Sequence, residues 1–245
     1  MKKTGTFLLT LFLMTFSSVQ LFAQEAFDFQ TKASGNWSDA SIWQIYTGSA
    51  WSDWNAPPTG GETIYILEGD SVYVDIAVTI TDTLLNKGIV EPMDSLTVTI
   101  GDGGVYQHDR DEGKIPKCIW GEGSTLLITG VTGTAPEDRD QDYYNVVFNT
   151  PDLLSNLNMN LDNNIISGDV HIINTGLARW YLTSTETQDT AIVYIMGDVI
   201  MDDGQFSVQD EIFPAKTYFL GVWDKEDPCV MQNSGSPCCR YLAGA

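Results

Sequence analysis

Two short stretches decide the fold: Ile166–Ile172 has the sequence ISGDVHI, and Ile195–Met201, which begins 29 residues later, has the sequence IMGDVIM. After each copy the chain turns at a glycine and apolar residues resume, at Gly176 and Trp180 in the first copy and at Gly204 and Val208 in the second. Strand repeats with a period of about 20–50 residues are typical of a coil that stacks turn on turn. The repeat therefore predicts a β-solenoid whose strands pair in parallel with the copies above and below. An antiparallel sandwich with two similar strands is the alternative.

Short runs of alternating apolar and polar residues fill most of the chain after residue 23, and almost nothing has helical periodicity. In each run one face is apolar and the other carries Thr, Asn or Asp, which is typical of a half-buried strand. The clearest runs are Thr63–Val74, Leu96–Ile100, Leu126–Ile128, Val146–Phe148 and Leu157–Leu161. The predicted fold class is therefore all-β.

The charge balance excludes one class of partner. The 245 residues contain 33 Asp+Glu against 12 Lys+Arg, a net charge of -21 at pH 7. Nucleic acid and anionic membrane surfaces attract basic proteins, so this chain would be repelled by both. The excess of acids also means that no two carboxylates can be selected as an active site from the sequence alone.

The first 23 residues are predicted to be a signal peptide. Lys2 and Lys3 precede an apolar run from Phe7 to Phe16, and Ala23 offers a small residue at the cleavage point. The alternative, a membrane anchor, is less favoured because the run is shorter than the roughly 20 residues that span a bilayer, and no later stretch is long enough. The expected location is therefore secreted or on the cell surface, with no membrane span.

Export permits disulfides, and three of the four cysteines lie in the last 17 residues. Adjacent cysteines such as Cys238 and Cys239 rarely form a disulfide with each other. The expected disulfide therefore joins Cys229 to one of them, and we predict Cys238. A metal site is less favoured, because no histidine is nearby and the spacing is not CxxC.

A resemblance to a known family rests on the N-terminal segment. Ser34–Asp39 (SGNWSD), Trp43 and Pro58–Glu62 (PTGGE) precede the pattern of Ile64, Ile66, Gly69, Val72, Val74 and Asp75. Together they resemble the opening motif of secreted Bacteroidetes-type β-helix proteins with a G8-like N-terminal motif. Tyr144–Phe148 and Gly168–Ile172 are similar to the later turns of such proteins. The resemblance implies a right-handed parallel β-helix, and family members include adhesin-like surface proteins, glycan-binding modules and some polysaccharide-degrading enzymes.

The expected organisation has four parts. Residues 1–23 form the signal peptide, 24–61 the N-terminal cap and opening motif, 62–222 the turns of the solenoid, and 223–245 a cysteine-containing tail. Related proteins often continue into further turns and a sorting domain, so a fragment of a larger secreted surface protein is a possible interpretation of this chain.

Nothing in the sequence indicates nucleophilic catalysis, which usually needs a histidine beside Ser or Cys. The two histidines are His108, in an apparent polar loop from Gln107 to Glu112, and His171, which alternates with Val170 and Ile172 and is expected to point outward. Lyases on β-helices generally combine calcium-binding acids with a basic residue, and Arg179 is the only base embedded in a clear turn. An enzyme is therefore less favoured.

One acidic motif could bind calcium. Asp138, Asp140 and Asp142 put carboxylates at positions i, i+2 and i+4, as in the start of a calcium loop. Asp109–Gly113 is a less complete motif of the same kind. Neither completes an EF-hand pattern, so a solvated acidic turn is the favoured interpretation and Ca²⁺ is only a candidate cofactor.

The tryptophans separate into two groups. Trp37 and Trp43 lie at motif positions and are expected to cap or fill the first turn. Trp51 and Trp54, in a turn-rich segment, are the candidate ligand-binding residues, because flat indoles beside Asp and Asn can stack on sugar rings. The competing interpretation is that they cover the open end of the coil.

The function expected from the sequence is a non-catalytic extracellular β-solenoid module for surface adhesion or glycan contact. Its partner would be a polysaccharide or a cell-surface component. The alternative function is that of a polysaccharide-degrading lyase or hydrolase, which would need acids and an Arg or Lys converging on one groove.

Overall fold

A computed structural model describes residues 25–183, 191–209, 215–219 and 223–225. The first twelve strands are β1 Phe29–Thr31, β2 Gly35–Asn36, β3 Trp43–Tyr46, β4 Trp51–Asp53, β5 Ile64–Ile66, β6 Ser71–Val74, β7 Val78–Ile80, β8 Thr83–Asn86, β9 Ile89–Pro92, β10 Val98–Ile100, β11 Val105–His108 and β12 Cys118–Trp120. The others are β13 Thr125–Ile128, β14 Asn145–Asn149, β15 Leu157–Asn158, β16 Asn164–Ile166, β17 Val170–Asn174, β18 Arg179–Thr183, β19 Ala191–Ile195, β20 Val199–Met201, β21 Gln205–Gln209, β22 Ala215–Phe219 and β23 Trp223–Lys225. A 3₁₀-helix at Ala40–Ile42 precedes β3.

The strands form a parallel β-solenoid with three faces. The first face is one eleven-stranded sheet in the order β23-β20-β17-β14-β13-β11-β8-β5-β1-β3-β4. The second face comprises β2-β6-β9 and then β15-β18-β21, and the third comprises β7-β10-β12 and then β16-β19-β22. All pairs are parallel except β1–β3 and β3–β4, which form an antiparallel end to the first face. The fold class predicted from the sequence is confirmed, while the right-handed sense of the coil stays a prediction that agrees with the preference of parallel crossovers.

The 29-residue repeat is confirmed as a register of pairing. β17 pairs with β20 so that Val170 meets Val199 and Ile172 meets Met201. Gly176 and Gly204 both have positive φ, at 61° and 92°, which a glycine adopts without strain. The position at which apolar residues resume after the glycine differs from the expectation, because Trp180 pairs with Phe206 and not with Val208. The second copy has two fewer residues between its glycine and its strand.

The core is a set of columns that run along the coil. In one column of the first face, each residue pairs with its counterpart in the next turn and every side chain is fully buried. Its members are Ile64, Leu84, Tyr106, Leu126, Val146, Val170 and Val199. Inward side chains stack on the equivalent side chains of the next turn. Each added turn therefore extends the apolar core and keeps the inward apolar surface out of water.

The opening motif holds the first turn together. Trp37 and Trp43 are fully buried and meet edge to face with ring centroids 5.1 Å apart, which confirms that they fill the first turn. The Ser38 hydroxyl donates to the Asp75 carboxylate at 2.6 Å. Glu62 accepts from the Thr59 hydroxyl at 2.8 Å, a local bond within the PTGGE segment.

The N-terminal and C-terminal segments both contribute strands. Within residues 24–61, β1 and β2 pair in parallel with β5 and β6 of the next turn. At the other end, β23 pairs in parallel with β20. In the described part of the chain, no helix has the length and apolar character needed to cross a membrane.

Acidic and amide side chains stabilise the corners of the coil. The Asn145 side-chain oxygen accepts the backbone N–H of Asp169 at 2.8 Å, and the Asp169 carboxylate accepts the backbone N–H of Asp198 at 2.7 Å. Within β16, rather than at a corner, the Asp142 carboxylate accepts the backbone N–H of Ile165 at 2.8 Å. Each acceptor satisfies a backbone donor of the following turn, at a point where the strand pairing is interrupted.

Asp111 makes the densest of these corner contacts. One of its carboxylate oxygens accepts the backbone N–H groups of Thr132, Gly133 and Thr134 at 2.9, 2.8 and 2.9 Å. Partial burial raises the pKa of Asp111, but these hydrogen bonds outweigh it and hold the pKa below its ordinary value. The carboxylate is thus specifically stabilised by the fold.

We expect Asp111→Ala to lower the free energy of unfolding by about 2 kcal/mol, because three backbone donors lose a charged acceptor. The measurement is urea unfolding at pH 7. Because the folded-state pKa of Asp111 is lowered, its contribution is present above the ordinary carboxyl pKa and is lost as the pH falls through the folded value. The control is Asp152→Ala, since Asp152 is exposed and forms no side-chain hydrogen bond or ion pair with the described residues. Equal stability of the two variants would contradict the assignment.

His108 lies inside the coil, which corrects the expectation that it sits in a polar loop. It is the last residue of β11, is fully buried, and shares the inward side of that strand with Tyr106. Its Nε2 lies 2.9 Å from the Glu112 carbonyl oxygen, so the nitrogen donates, and Nδ1 has no partner among the described residues. Burial lowers the pKa of His108 to about 4.

The buried imidazole predicts a pH dependence of stability. An unfolded chain protonates its histidines near pH 6.5, whereas the folded chain keeps His108 neutral down to about pH 4. The unfolded state therefore binds more protons in that window, and stability falls by about 3 kcal/mol as the pH drops through it. We expect the unfolding free energy of His108→Gln to fall by about 3 kcal/mol less than that of the natural chain between pH 7 and pH 4.

The matched control is His171→Gln, which replaces the other histidine, on the outer surface, and leaves the buried imidazole of His108 in place. An NMR titration of the His108 ring in the unaltered protein gives an independent measurement of the pKa. A ring that titrates near pH 6.5 in the folded protein would contradict the prediction.

Candidate functional site

The hairpin of β3 and β4 brings aromatic side chains together at the N-terminal end of the first face. Tyr46 and Trp51 are paired across the hairpin, and their ring centroids lie 5.3 Å apart. Trp51 also meets Tyr65 of β5 at 6.2 Å with the rings nearly perpendicular. We call Tyr46, Trp51 and Tyr65 the N-terminal aromatic cluster. Its three rings lie on the outer side of the sheet, since Trp43 and Ile45, which alternate with Tyr46 along β3, are buried inside.

The sequence of the hairpin explains this arrangement. The turn from Thr47 to Ala50 contains Gly48 with φ of 88°, and the Thr47 N–H and hydroxyl both donate to the Ala50 carbonyl, at 2.9 and 3.0 Å. This closed turn places Tyr46 opposite Trp51. The two rings are therefore positioned by short-range interactions.

A row of polar groups lies beside the aromatic cluster on the same outer side. The Gln30 side-chain amide donates to Gln44 at 3.0 Å, and the Gln44 amide donates to Asp53 at 3.3 Å. Lys32 forms an ion pair with Asp53 at 2.7 Å. The hydrogen bond from Lys32, with a second from Gln44, holds the pKa of Asp53 below its ordinary value. Aromatic faces beside fixed amide and carboxylate groups are suited to a ligand with alternating apolar and hydroxyl-bearing surfaces.

The two tryptophans predicted as ligand-binding residues have different surroundings. Trp51 is partly buried by Tyr46 and Tyr65, whereas Trp54, just beyond the end of β4, is 45% exposed. The ligand-binding role of both residues stays a prediction. Sequence reasoning missed Tyr46 and Tyr65 as their neighbours, although the spacing of Tyr46 and Trp51 around Gly48 is a usable hairpin signal.

Partial burial raises the pKa of the Tyr65 phenol, and the nearby charges of Asp28 and Asp82 add to the effect. Burial also raises the pKa of Asp28, which is only 6% exposed. Its carboxylate accepts the backbone N–H of Glu25 at 2.9 Å, so it fixes the turn that precedes β1. The buried Asp28 carboxylate therefore stabilises this turn.

The acidic motif predicted as a calcium site is not gathered around one centre. Asp138 forms an ion pair with Lys114 at 3.3 Å, while Asp142 accepts the N–H of Ile165, and Asp140 is exposed. Within the described ranges, no three His, Cys, Asp or Glu side chains form a group that could hold a metal ion. In the less complete motif, Asp109 pairs with Lys87 at 3.1 Å.

We expect a calorimetric titration with CaCl₂ to give no saturable heat and no shift of the melting temperature, because two of the three carboxylates at 138, 140 and 142 already have protein partners. The control is the variant Asp140→Asn, which removes the exposed carboxylate and should behave as the natural chain does. A saturable heat that disappears in Asp140→Asn would instead establish a calcium site there.

A second group of acids and bases lies in a cleft of about 590 Å³ that includes Lys87, Arg110 and Asp111. Both bases of the cleft are engaged, since Lys87 pairs with Asp109 and Arg110 donates to the Gly88 carbonyl at 2.5 Å, while Glu68, Asp70 and Glu112 also line it. Asp111 binds backbone N–H groups, as described above. The cleft therefore combines acids and bases, but its described cations and two of its carboxylates are engaged in holding adjacent turns together.

Neither histidine is arranged for nucleophilic catalysis. His171 lies on the outer side of β17, as predicted, and its Nε2 is 2.8 Å from the Asp202 carboxylate. His108 is buried and contacts the Glu112 carbonyl. Among the described residues, neither ring contacts a hydroxyl or a thiol within hydrogen-bonding distance. The predicted disulfide of Cys229 and Cys238 lies outside the described residues, and Cys118 forms no disulfide with any residue that the structure describes.

The class of protein that the fold defines is the parallel β-solenoid, with an aromatic and polar surface at its N-terminal hairpin. Comparison with known protein families, characterised proteins and solved structures finds no match.

Proposed function

We propose that this protein is a secreted or cell-surface β-solenoid module that contacts glycans without cleaving them, through the N-terminal aromatic cluster and Trp54. The proposal includes export directed by residues 1–23, which lie outside the described residues. It also includes membership of the secreted Bacteroidetes-type β-helix proteins with a G8-like motif, on the basis of the motif residues around Trp37 and Glu62.

The observation that carries the proposal is the combination of aromatic rings and fixed polar groups on one outer surface. Trp51 and Tyr65 present ring faces and edges, and Gln30, Gln44 and Asp53 form a connected polar row in neighbouring strands. A sugar ring has C–H groups that pack on an indole and hydroxyls that bind amides and carboxylates. A glycan therefore uses both halves of this surface.

The net charge of the chain restricts the class of glycan that can bind. With a net charge of -21, sulfated or uronate-rich polymers are repelled over the length of the molecule. A neutral glycan carries no such penalty. Binding without cleavage is supported by the engagement of both bases in the cleft, since Lys87 pairs with Asp109 and Arg110 donates to the Gly88 carbonyl.

The test is electrophoresis in gels containing neutral or acidic soluble polysaccharides, such as β-glucan, xylan, glucomannan and polygalacturonate. We expect at least one neutral polymer to retard the protein. Trp54→Ala should weaken binding about five-fold, equivalent to about 1 kcal/mol of stacking. The double variant Trp51→Ala, Trp54→Ala should abolish the retardation.

The matched control is Tyr73→Ala, because Tyr73 is also 45% exposed but lies on the second face. Melting temperatures separate the two roles of the tryptophans. If the double variant is destabilised and Trp54→Ala binds normally, the tryptophans only cover the end of the coil. Release of new reducing ends or unsaturated sugars from any polymer would replace the proposal with polysaccharide cleavage.

A further inference from the structure

A groove interrupts the third face midway along the coil. It lies between the sheets β7-β10-β12 and β16-β19-β22, has a volume of about 430 Å³, and is open to solvent. We call it the lateral groove. Its lining includes Lys117, Trp120, Asp140, Asp142, Tyr144 and Ser167.

The groove exists because one turn has no strand on this face. The Gln141 side chain takes the place of the missing strand: its oxygen accepts the Cys118 N–H at 3.0 Å and the Trp120 indole N–H at 3.4 Å. Its amide nitrogen donates to the carbonyls of Pro116 and Asp138, at 3.1 and 2.6 Å. One side chain can satisfy these polar groups, but it cannot cover the area that a strand would cover.

Trp120 is the residue most affected by the missing strand. In register it follows Ile80 and Ile100, which are both fully buried. Trp120 occupies the same inward column, yet it remains partly exposed at the groove. Its ring is held by an edge-to-face contact with Tyr143 at 5.0 Å. A fixed indole is thus open to a ligand at a position that is otherwise core.

Some polar side chains around this indole are available to bind a ligand. Asp140 and Lys117 are exposed and form no hydrogen bond or ion pair with the described residues through their side chains. Asp142 accepts the Ile165 backbone N–H at 2.8 Å and the Asn164 side-chain amide at 3.4 Å, both through Oδ1, which leaves acceptor capacity on Oδ2. The lateral groove therefore offers carboxylate acceptors and an ammonium donor beside an aromatic surface.

We propose that the lateral groove is a second glycan site, which holds a sugar unit of a neutral polysaccharide against Trp120. The inference rests on the proposed glycan contact and extends it to a separate surface with a defined ligand class. Paired hydroxyls bind Asp140 and Asp142, and Lys117 donates to a ring or hydroxyl oxygen. Two carboxylates against one ammonium group disfavour a uronate or sulfated sugar, in agreement with the charge of the whole chain.

The experiment observes each tryptophan separately. The ¹⁵N-labelled full chain is titrated with neutral oligosaccharides of glucose, xylose and mannose, and with galacturonate oligosaccharides. The indole N–H signals of Trp120 and Trp54 are assigned from Trp120→Phe and Trp54→Phe. We expect the Trp120 signal to shift in a saturable way with a neutral series. The affinity measured at that signal should be about ten-fold weaker in the double variant Lys117→Ala, Asp140→Ala, because charge-assisted hydrogen bonds are lost.

Asp152→Ala is the control, since it removes an exposed carboxylate from another part of the coil. A neutral sugar that shifts Trp54 but leaves Trp120 unchanged would overturn the lateral groove and leave the proposed function standing. A shift of Trp120 with galacturonate alone would overturn the neutral ligand class. If no sugar moves either signal, both the lateral groove and the proposed function are wrong.

Discussion

The structure depends on the parallel pairing of each turn with the turn before it. Strand pairing satisfies backbone N–H and C=O groups along the three faces, but the corners between faces would leave donors unpaired. Asn145, Asp169 and Asp111 satisfy such donors by accepting N–H groups of the following turn. A carboxylate is a strong acceptor with no donor of its own, so it suits this task. Part of the excess of acidic residues therefore has a structural role at the corners. The same carboxylates contribute to the negative charge that disfavours anionic partners.

The same requirement explains what happens where a turn lacks strands. Between β13 and β14 the chain has no strand on the second or third face, and the side chains of Arg139, Gln141 and Asp142 make hydrogen bonds in its place. Arg139 donates to the carbonyl of Asn158 on the second face and to that of Pro136 at 2.6 Å, while Gln141 serves Cys118 on the third face. Burial lowers the pKa of Arg139, and its carbonyl partners compensate for part of the desolvation of the guanidinium. Side chains thus preserve the polar pairing of the coil, but they leave the apolar column beneath them incompletely covered.

The sequence predicted the fold class and the register of the clearest repeat, because Ile166–Ile172 and Ile195–Met201 stack directly and have similar inward residues. The sequence also predicted the N-terminal turns, but not their pairing register, for the opposite reason. Successive inward positions of the first face are Ile66, Asn86, His108 and Ile128, so turns of 20–22 residues share little sequence although their backbones coincide. His108 was assigned to a loop because its neighbours in sequence are charged, whereas its surroundings are set by other turns. The role of an acid such as Asp111 was equally hidden, since its partners lie more than 20 residues away at a spacing that only the folded turn defines.

Both surfaces assigned to glycans arise where regular coiling stops. A complete turn buries its inward side chains against two neighbours and presents short or polar side chains such as Thr79 and Thr99 outside. At the N-terminal end, the antiparallel hairpin adds Tyr46 and Trp51 to the outer side of the first face. At the lateral groove, the absent strand uncovers Trp120 in a column that is otherwise closed. Exposed aromatic side chains also occur on regular strands, as at Tyr73 and Tyr194, but at the hairpin and at the lateral groove the rings lie together with polar groups where the coil lacks a neighbour. In a solenoid of this kind, a recognition surface is therefore expected at an end or an interruption of the regular turns.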